Sequence, residues 1–207
     1  RGRAAERARR PTQALSEYAK VSPRSRFWAQ ATYLSGLLEV ERGNLKKGEN
    51  LFCQVADPKL TPKKAPLFGG SDFFRVRDLA RLALGRVAHE KYRFDDSRYY
   101  YYLVPADSDH LPEALHESAT GRYEAKDYDG ARELMNELSA LQRNHPYEDE
   151  AWLLDAYIDL ATCRFPAADA KLSQFLKRYD PVRDAARRIA QDERAMRKLV
   201  DSIRTGA

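Results

Sequence analysis

The feature that most constrains this chain is a small residue and a large one recurring at fixed places in a helical pattern. "RFWAQATYLSGLLEVERG", "RDLARLALGRVAHEKYRF", "EALHESATGRYEAKDYDGARELMNELSAL" and "EDEAWLLDAYIDLATCRF" carry apolar residues three and four apart, as amphipathic helices do. No strand-like alternation is sustained. The middle of each first helix holds a small residue: Gly36, Gly85, Ala119 and Ala156. Shortly after comes a turn with a leucine or an aromatic, at Leu45, Phe94, Tyr128 and Phe165. Beyond it stands a second small residue (Gly48, Ser97, Ala131, Ala168), and one helical turn further a large one (Phe52, Tyr101, Met135, Leu172). Gly85 and Ala119 are separated by one period of about 34 residues. The step from Ala119 to Ala156 is slightly longer, in keeping with the loop around "RNHPYED". The step from Gly36 to Gly85 exceeds the period by about 15 residues, which marks an insertion.

A helix–turn–helix unit of this period resembles the tetratricopeptide repeat (TPR). The resemblance implies an all-α, superhelical array of antiparallel helix pairs, with units at 29–58, 78–105, 112–145 and 149–181. "PTQALSEYAKVSP" resembles the second helix of a preceding, truncated unit: Ala14, Tyr18 and Val21 lie one such period before Gly48, Phe52 and Val55. Trp152 matches the family's first-helix tryptophan, Ala131 its second-helix alanine, and "AKDYDGA" its turn. The pattern is degenerate. Alanine replaces the first-helix glycine in two units, and Gly48 replaces the packing alanine in the first.

Small residues let the two helices of a unit approach, and the large residue fills the space between neighbouring units. One such unit cannot bury its apolar face alone, so units stack. Residues 182–207 are expected to form a C-terminal capping helix. Its buried stripe would comprise Val182, Ala186, Ile189, Ala190, Met196, Leu199, Val200 and Ile203. The insertion at 59–77 falls outside the repeat and holds Phe68, Phe73 and Phe74. Either Phe73 and Phe74 open the next helix and plug the gap between units, or the loop folds over a groove or docks a partner.

The run Tyr99–Tyr102 suggests an aromatic platform. Successive helical residues point about 100° apart, so four in a row cannot form one face. The repeat register assigns Tyr101 to packing, beside Ser97 and Val104. Tyr100 is then half-buried, and Tyr99 and Tyr102 face outward.

Sites for chemistry are not found. Gly69–Gly70 lacks the lysine of a phosphate-cradling loop, and there is no GxSxG elbow. His89, His110, His116 and His145 form no zinc pattern, and no oxygen-rich loop suits calcium. "YEDE" (147–150) begins a helix, where carboxylates favour the positive end of the dipole. Cys53 and Cys163 stand far apart in the sequence and read as buried structural thiols. No catalytic residue, metal or cofactor is therefore expected, and the chain reads as a non-enzyme. No apolar run approaches the roughly 18 residues of a membrane span. The chain opens "RGRAAERARR", without methionine or signal peptide, which suggests a fragment or processed form. Residues 1–26 carry eight Arg/Lys and two Asp/Glu, +6 of the total +5, so the remainder sums to −1. Elsewhere basic residues mix with acids, as in "DERAMRK", which fits a solvated face better than a nucleic-acid strip.

The TPR resemblance implies a protein–protein adaptor whose partner lies in a groove lined by first helices. The family's groove positions fall on Gln30, Tyr33, Leu37 and Glu41, then on Leu82, Arg86, His89 and Glu90. In the third unit they fall on His116, Thr120, Tyr123 and Glu124, and in the fourth on Leu153, Tyr157 and Leu160. This lining lacks the dense Lys/Arg clamp that some chaperone-binding TPR proteins use. An extended or helical protein segment is expected there, on the strength of Tyr33, Tyr123 and Tyr157. "SPRSRFWAQATYLSGLLEVERGNLKKGENLF" resembles bacterial envelope TPR lipoproteins. "ARLALGRVAHEKYRFDDSRYYYYLVPADSDHLPEALHESA" is similar to TPR proteins of proteobacteria related to the gliding myxobacteria. These likenesses imply a periplasmic scaffold for an envelope or motility complex, with the cytoplasm as alternative compartment. Two other readings stay open: an array that self-associates through its ends, and a basic arm that binds nucleic acid or anionic lipid.

Overall fold

The structure, a computed structural model, describes residues 1–57, 59–60, 71–141 and 146–205. Most of the insertion, with Phe68 and Gly69–Gly70, lies outside the described residues, as does His145. Among the described residues there are eleven helices and no strand. None of the described helices is long and apolar enough to cross a membrane. They fall into two compact units, Arg1–His145 and Pro146–Ala207.

The first unit contains four helix pairs. They are α1 (Gly2–Arg7) with α2 (Pro11–Ala19), α3 (Trp28–Glu41) with α4 (Leu45–Ala56), α5 (Ser71–Glu90) with α6 (Phe94–Tyr102), and α7 (Leu111–Glu124) with α8 (Tyr128–Ala140). Each second helix packs on the next first helix, α2 on α3, α4 on α5 and α6 on α7, and α3 also meets α5. The second unit holds α9 (Glu148–Ala161), α10 (Phe165–Gln191) and α11 (Glu193–Thr205).

One turn closes all five hairpins. Arg9, Gly43, Tyr92, Lys126 and Cys163 each adopt positive φ, between 54° and 81°. The next residue sends its N–H back five positions: Arg10 to Ala5, Asn44 to Glu39, Arg93 to Ala88, Asp127 to Arg122 and Arg164 to Asp159, all at 2.8–2.9 Å. The positive-φ residue itself bonds three positions back. This pair of bonds is the Schellman motif, which satisfies the carbonyls a helix end would orphan. The residue that ends the motif is also the N-cap of the following helix. At Asp127 the side chain also accepts the Gly130 N–H.

The small and large positions pair as the periodicity predicts, and their identities are coupled. A Cβ at Gly36 would overlap the Phe52 ring, and one at Gly85 the Tyr101 ring. A Cβ at Gly2 would overlap the Tyr18 ring in the same way, so α1–α2 repeats the same helix-pair packing. The two alanine-bearing units have aliphatic partners instead, Ala119 with Met135 and Ala156 with Leu172 at the equivalent positions. A flat, rigid ring lies on bare backbone, whereas flexible chains accommodate a methyl group. Gly48 has its own reason: a Cβ there would meet Val40 and the Gly36 carbonyl. Ser97, at the equivalent place, uses the same closeness to donate to the Gly85 carbonyl at 2.9 Å.

The main core joins α3, α4 and α5 through Trp28, Phe52, Val55, Leu84 and Val87. Phe73 packs against it, whereas Phe74 is exposed with the Arg77 guanidinium 4.8 Å above its ring. A smaller cluster places Ala5, Ala14 and Tyr18 against Ala31 and Leu38, so the basic N-terminal stretch packs as a helix pair. Tyr101 is buried with Ser97 and Val104, Tyr100 is half-buried, and Tyr99 and Tyr102 are exposed.

In the second unit α9 buries Ala151, Leu154, Ala156 and Ile158. Trp152 meets Phe175 edge-on at 5.9 Å. The acidic residues of "YEDE" do sit in the first turn of α9. Two expectations are corrected. The capping segment does not begin at residue 182, because α10 runs on through Pro181 to Gln191 before α11 starts. Its stripe is not buried either: Val182, Met196, Leu199, Val200 and Ile203 are exposed, Ile203 at 72%. Burial of this face needs a further helix against it, which none of this unit's described residues supplies. The thiols also differ from expectation. Cys53 is half-buried, and Cys163 is exposed because it occupies a positive-φ turn position.

Candidate partner-binding surface

The first helices α3, α5 and α7 of the first unit carry most of the expected groove residues, and side-chain contacts tie α7 to the α5–α6 pair. Arg86 on α5 reaches α7, where its Nε donates to Glu117 Oε2 at 2.9 Å and its Nη2 pairs with Glu113. Tyr101 Oη, on α6, donates to the same Glu117 oxygen at 3.0 Å. His89 Nε2 meets Glu124 Oε2 at 2.9 Å, and its ring stands edge-on to Phe94 at 5.5 Å. Bonds to Glu117 hold the Arg86 guanidinium far above its ordinary pKa. Burial, and then Glu117, pushes the Tyr101 phenol up as well.

The other positions divide by exposure. Tyr33 is half-buried against Phe52, ring centres 5.7 Å apart, and its burial raises its pKa. Leu37 leans on the same core. Gln30, Glu41 and Glu90 are exposed. Thr120 spends its hydroxyl on the His116 carbonyl at 3.0 Å, and His116 is half-buried. Tyr123 lies against Tyr128 at 5.7 Å. Leu82 does not line a groove: it is fully buried, packed with Tyr101, Val104 and Ala114. In the second unit Tyr157 and Leu160 are exposed and Leu153 half-buried.

No protein-family model matches the chain, and no curated protein matches it by sequence. Solved structures do. One is a single-substitution form of a Podosopora anserina "putative kinesin light chain" with nearly identical TPR-like repeats. It is 12% identical, covers 88% of this chain and 93% of that one, and has a TM-score of 0.65. Another structure of that protein is 14% identical, covers 84% and 89%, and has a TM-score of 0.60. The chain has a TPR-like repeat fold.

Within this TPR-like frame some polar residues that link helices escaped sequence reasoning. Glu113 and Glu117 stand one turn apart on α7, and only the Arg86 contact reveals their role. A second set lies at the turns. Buried Glu39 accepts from Asn44 and Lys47, Arg122 donates to Asp127 at 2.6 Å, and buried Asp159 pairs with Arg164 at 2.8 Å. These pairs occupy equivalent positions, with the charge reversed in the third repeat. The second repeat has Ala88 there, and Arg93 turns instead to Glu49 on α4. The signal was present as the same two offsets from each small residue. Among the described residues no group of His, Cys, Asp or Glu could hold a metal ion.

Proposed function

We propose that this chain is a protein-interaction scaffold, without chemistry of its own, that receives an extended or helical partner segment along the first-helix face of α3, α5 and α7. The observation that carries this is the Arg86–Glu117–Glu113 linkage. It presents polar groups from two successive first helices as one preorganised surface, with Tyr33 close to Arg86 and Glu113 and Tyr123 further along α7. Preorganisation lowers the ordering cost of binding. The TPR-like fold supports the reading, since such arrays offer extended concave surfaces. Tyr157 holds on α9 of the second unit the register position that Arg86 holds on α5, one residue after the small residue, and is a further candidate contact.

Affinity capture with full-length protein from its native cell tests this. Tyr33→Ala with Tyr123→Ala should weaken capture severalfold without lowering helicity; unchanged capture would overturn the groove. A place in a bacterial envelope or motility assembly is the compartment we propose, supported by the two sequence likenesses. Fractionation tests it, and a purely cytosolic pool would refute it.

A further inference from the structure

We infer that a separate cleft, at the N-terminal ends of α3 and α5, is built to take an acidic peptide segment bearing an apolar side chain. The cleft has a volume of about 530 Å³ and draws on three places: Arg3 from α1, Arg26 and Phe27 from the turn leading into α3, and Arg75 from α5. Among the described residues none of these three guanidiniums has an ion-pair partner. Asp72 is the lone acid in the lining, so the cleft carries net positive charge. α3 begins without a side-chain cap, and its first-turn residues Ala29 and Gln30 line the same cleft. The positive end of its dipole therefore adds to the field of the arginines.

The remaining wall is apolar, with Phe73, Val76 and Leu79. Arg26 stacks 4.7 Å over the exposed Phe27 ring, which holds a guanidinium fork at the rim. Arginine forks match carboxylates in pairs, and an apolar floor rewards a neighbouring aliphatic side chain. A nucleic-acid strand would instead need a basic track with stacking aromatics over several nucleotides, and this cleft is a single local site. The inference rests on the scaffold reading and names a chemistry for one partner contact. It uses residues distinct from Tyr33 and Tyr123.

Fluorescence anisotropy with a fluorescein-labelled nonapeptide, one central Leu between runs of Glu, provides the test. Wild-type protein should bind it saturably. Arg26→Ala with Arg75→Ala should weaken binding about tenfold or more, as expected for loss of charge-assisted contacts. Arg187→Ala with Arg188→Ala removes the same charge elsewhere and should leave affinity unchanged. Equal weakening by both pairs would overturn the cleft as a site, and so would absence of saturable binding. Tighter, cleft-dependent binding of a labelled oligothymidine would reassign it to nucleic acid. Circular dichroism confirms that the variants fold. Tyr33→Ala with Tyr123→Ala should leave peptide binding intact, so failure of the groove and failure of the cleft are separable.

Discussion

The Tyr101 ring lies where a side chain at Gly85 would be, and its hydroxyl reaches on to Glu117 at 3.0 Å. One residue thus closes its own helix pair and links it to the next. Gly85→Ala should therefore destabilise the protein by about 1–3 kcal/mol through overpacking. Adding Tyr101→Leu should recover part of that loss, reproducing the Ala–aliphatic pairing of the third and fourth repeats. Urea midpoints of the two single variants and the double variant give the coupling. Strict additivity would show that the glycine and the ring are not matched.

The four tyrosines should respond unequally. Tyr101→Phe removes a hydrogen bond to a carboxylate and should cost about 1–2 kcal/mol. Tyr99→Ala and Tyr102→Ala, on exposed rings, should stay within about 0.5 kcal/mol. Chemical denaturation decides; comparable losses at Tyr102 and Tyr101 would contradict the split.

Positive φ at non-glycine residues leaves room for stabilisation. Lys126 holds a φ of 63° in the turn between α7 and α8, which L side chains resist by roughly 1–2 kcal/mol. Lys126→Gly relieves this but frees the unfolded chain, for a net gain of about 0.5–1 kcal/mol. Gly43→Ala should move the other way by a similar amount. Thermal melting of both variants against wild type reads the signs.

Acid should unfold the protein through its turn carboxylates. Hydrogen bonds from Lys47 and Asn44 hold Glu39 below the usual carboxylate range. The Gly130 N–H, then Arg122, does the same for Asp127. Burial pushes Glu49 up, but Lys91 and Arg93 outweigh it and leave it lowered. With folded pKa values below the unfolded ones, the unfolded chain binds more protons as pH falls. The stabilisation is complete above the unfolded carboxylate values of about 4. It is lost as pH drops through the folded ones. Glu39→Gln should flatten the decline in urea midpoint below about pH 5; an unaltered slope would show that Glu39 does not contribute.

Much of the fold was legible because packing between paired helices repeats. Gly36, Gly85 and their ring partners mark the register in residue size alone. Gly2 was equally readable, one repeat period before Gly36, but its setting among arginines masked it. Leu82 was misplaced for a different reason. Its position, one turn before the small residue, lies on the border between groove and core, and helical spacing does not resolve a border. Tyr101, Val104 and Ala114, from other parts of the chain, supply the apolar contacts that draw Leu82 inward. The C-terminal stripe shows the converse: periodicity reveals an apolar face but not whether anything covers it. Ion pairs such as Arg86–Glu117 join residues 31 apart in sequence, and charges at that separation leave no periodic trace.

The five matching turns also determine where such a chain can vary in length. Each turn shares its residues between the end of one helix and the cap of the next, so it has no slack. One added residue would rotate the second helix by about 100° and carry Phe52 or Tyr101 off its glycine. Connections between pairs are under no such phase constraint, and the long step from Gly36 to Gly85 takes up its extra length before Gly85, part of it as a longer α5. Growth, tagging and grafting are thus tolerated between hairpins and forbidden within them.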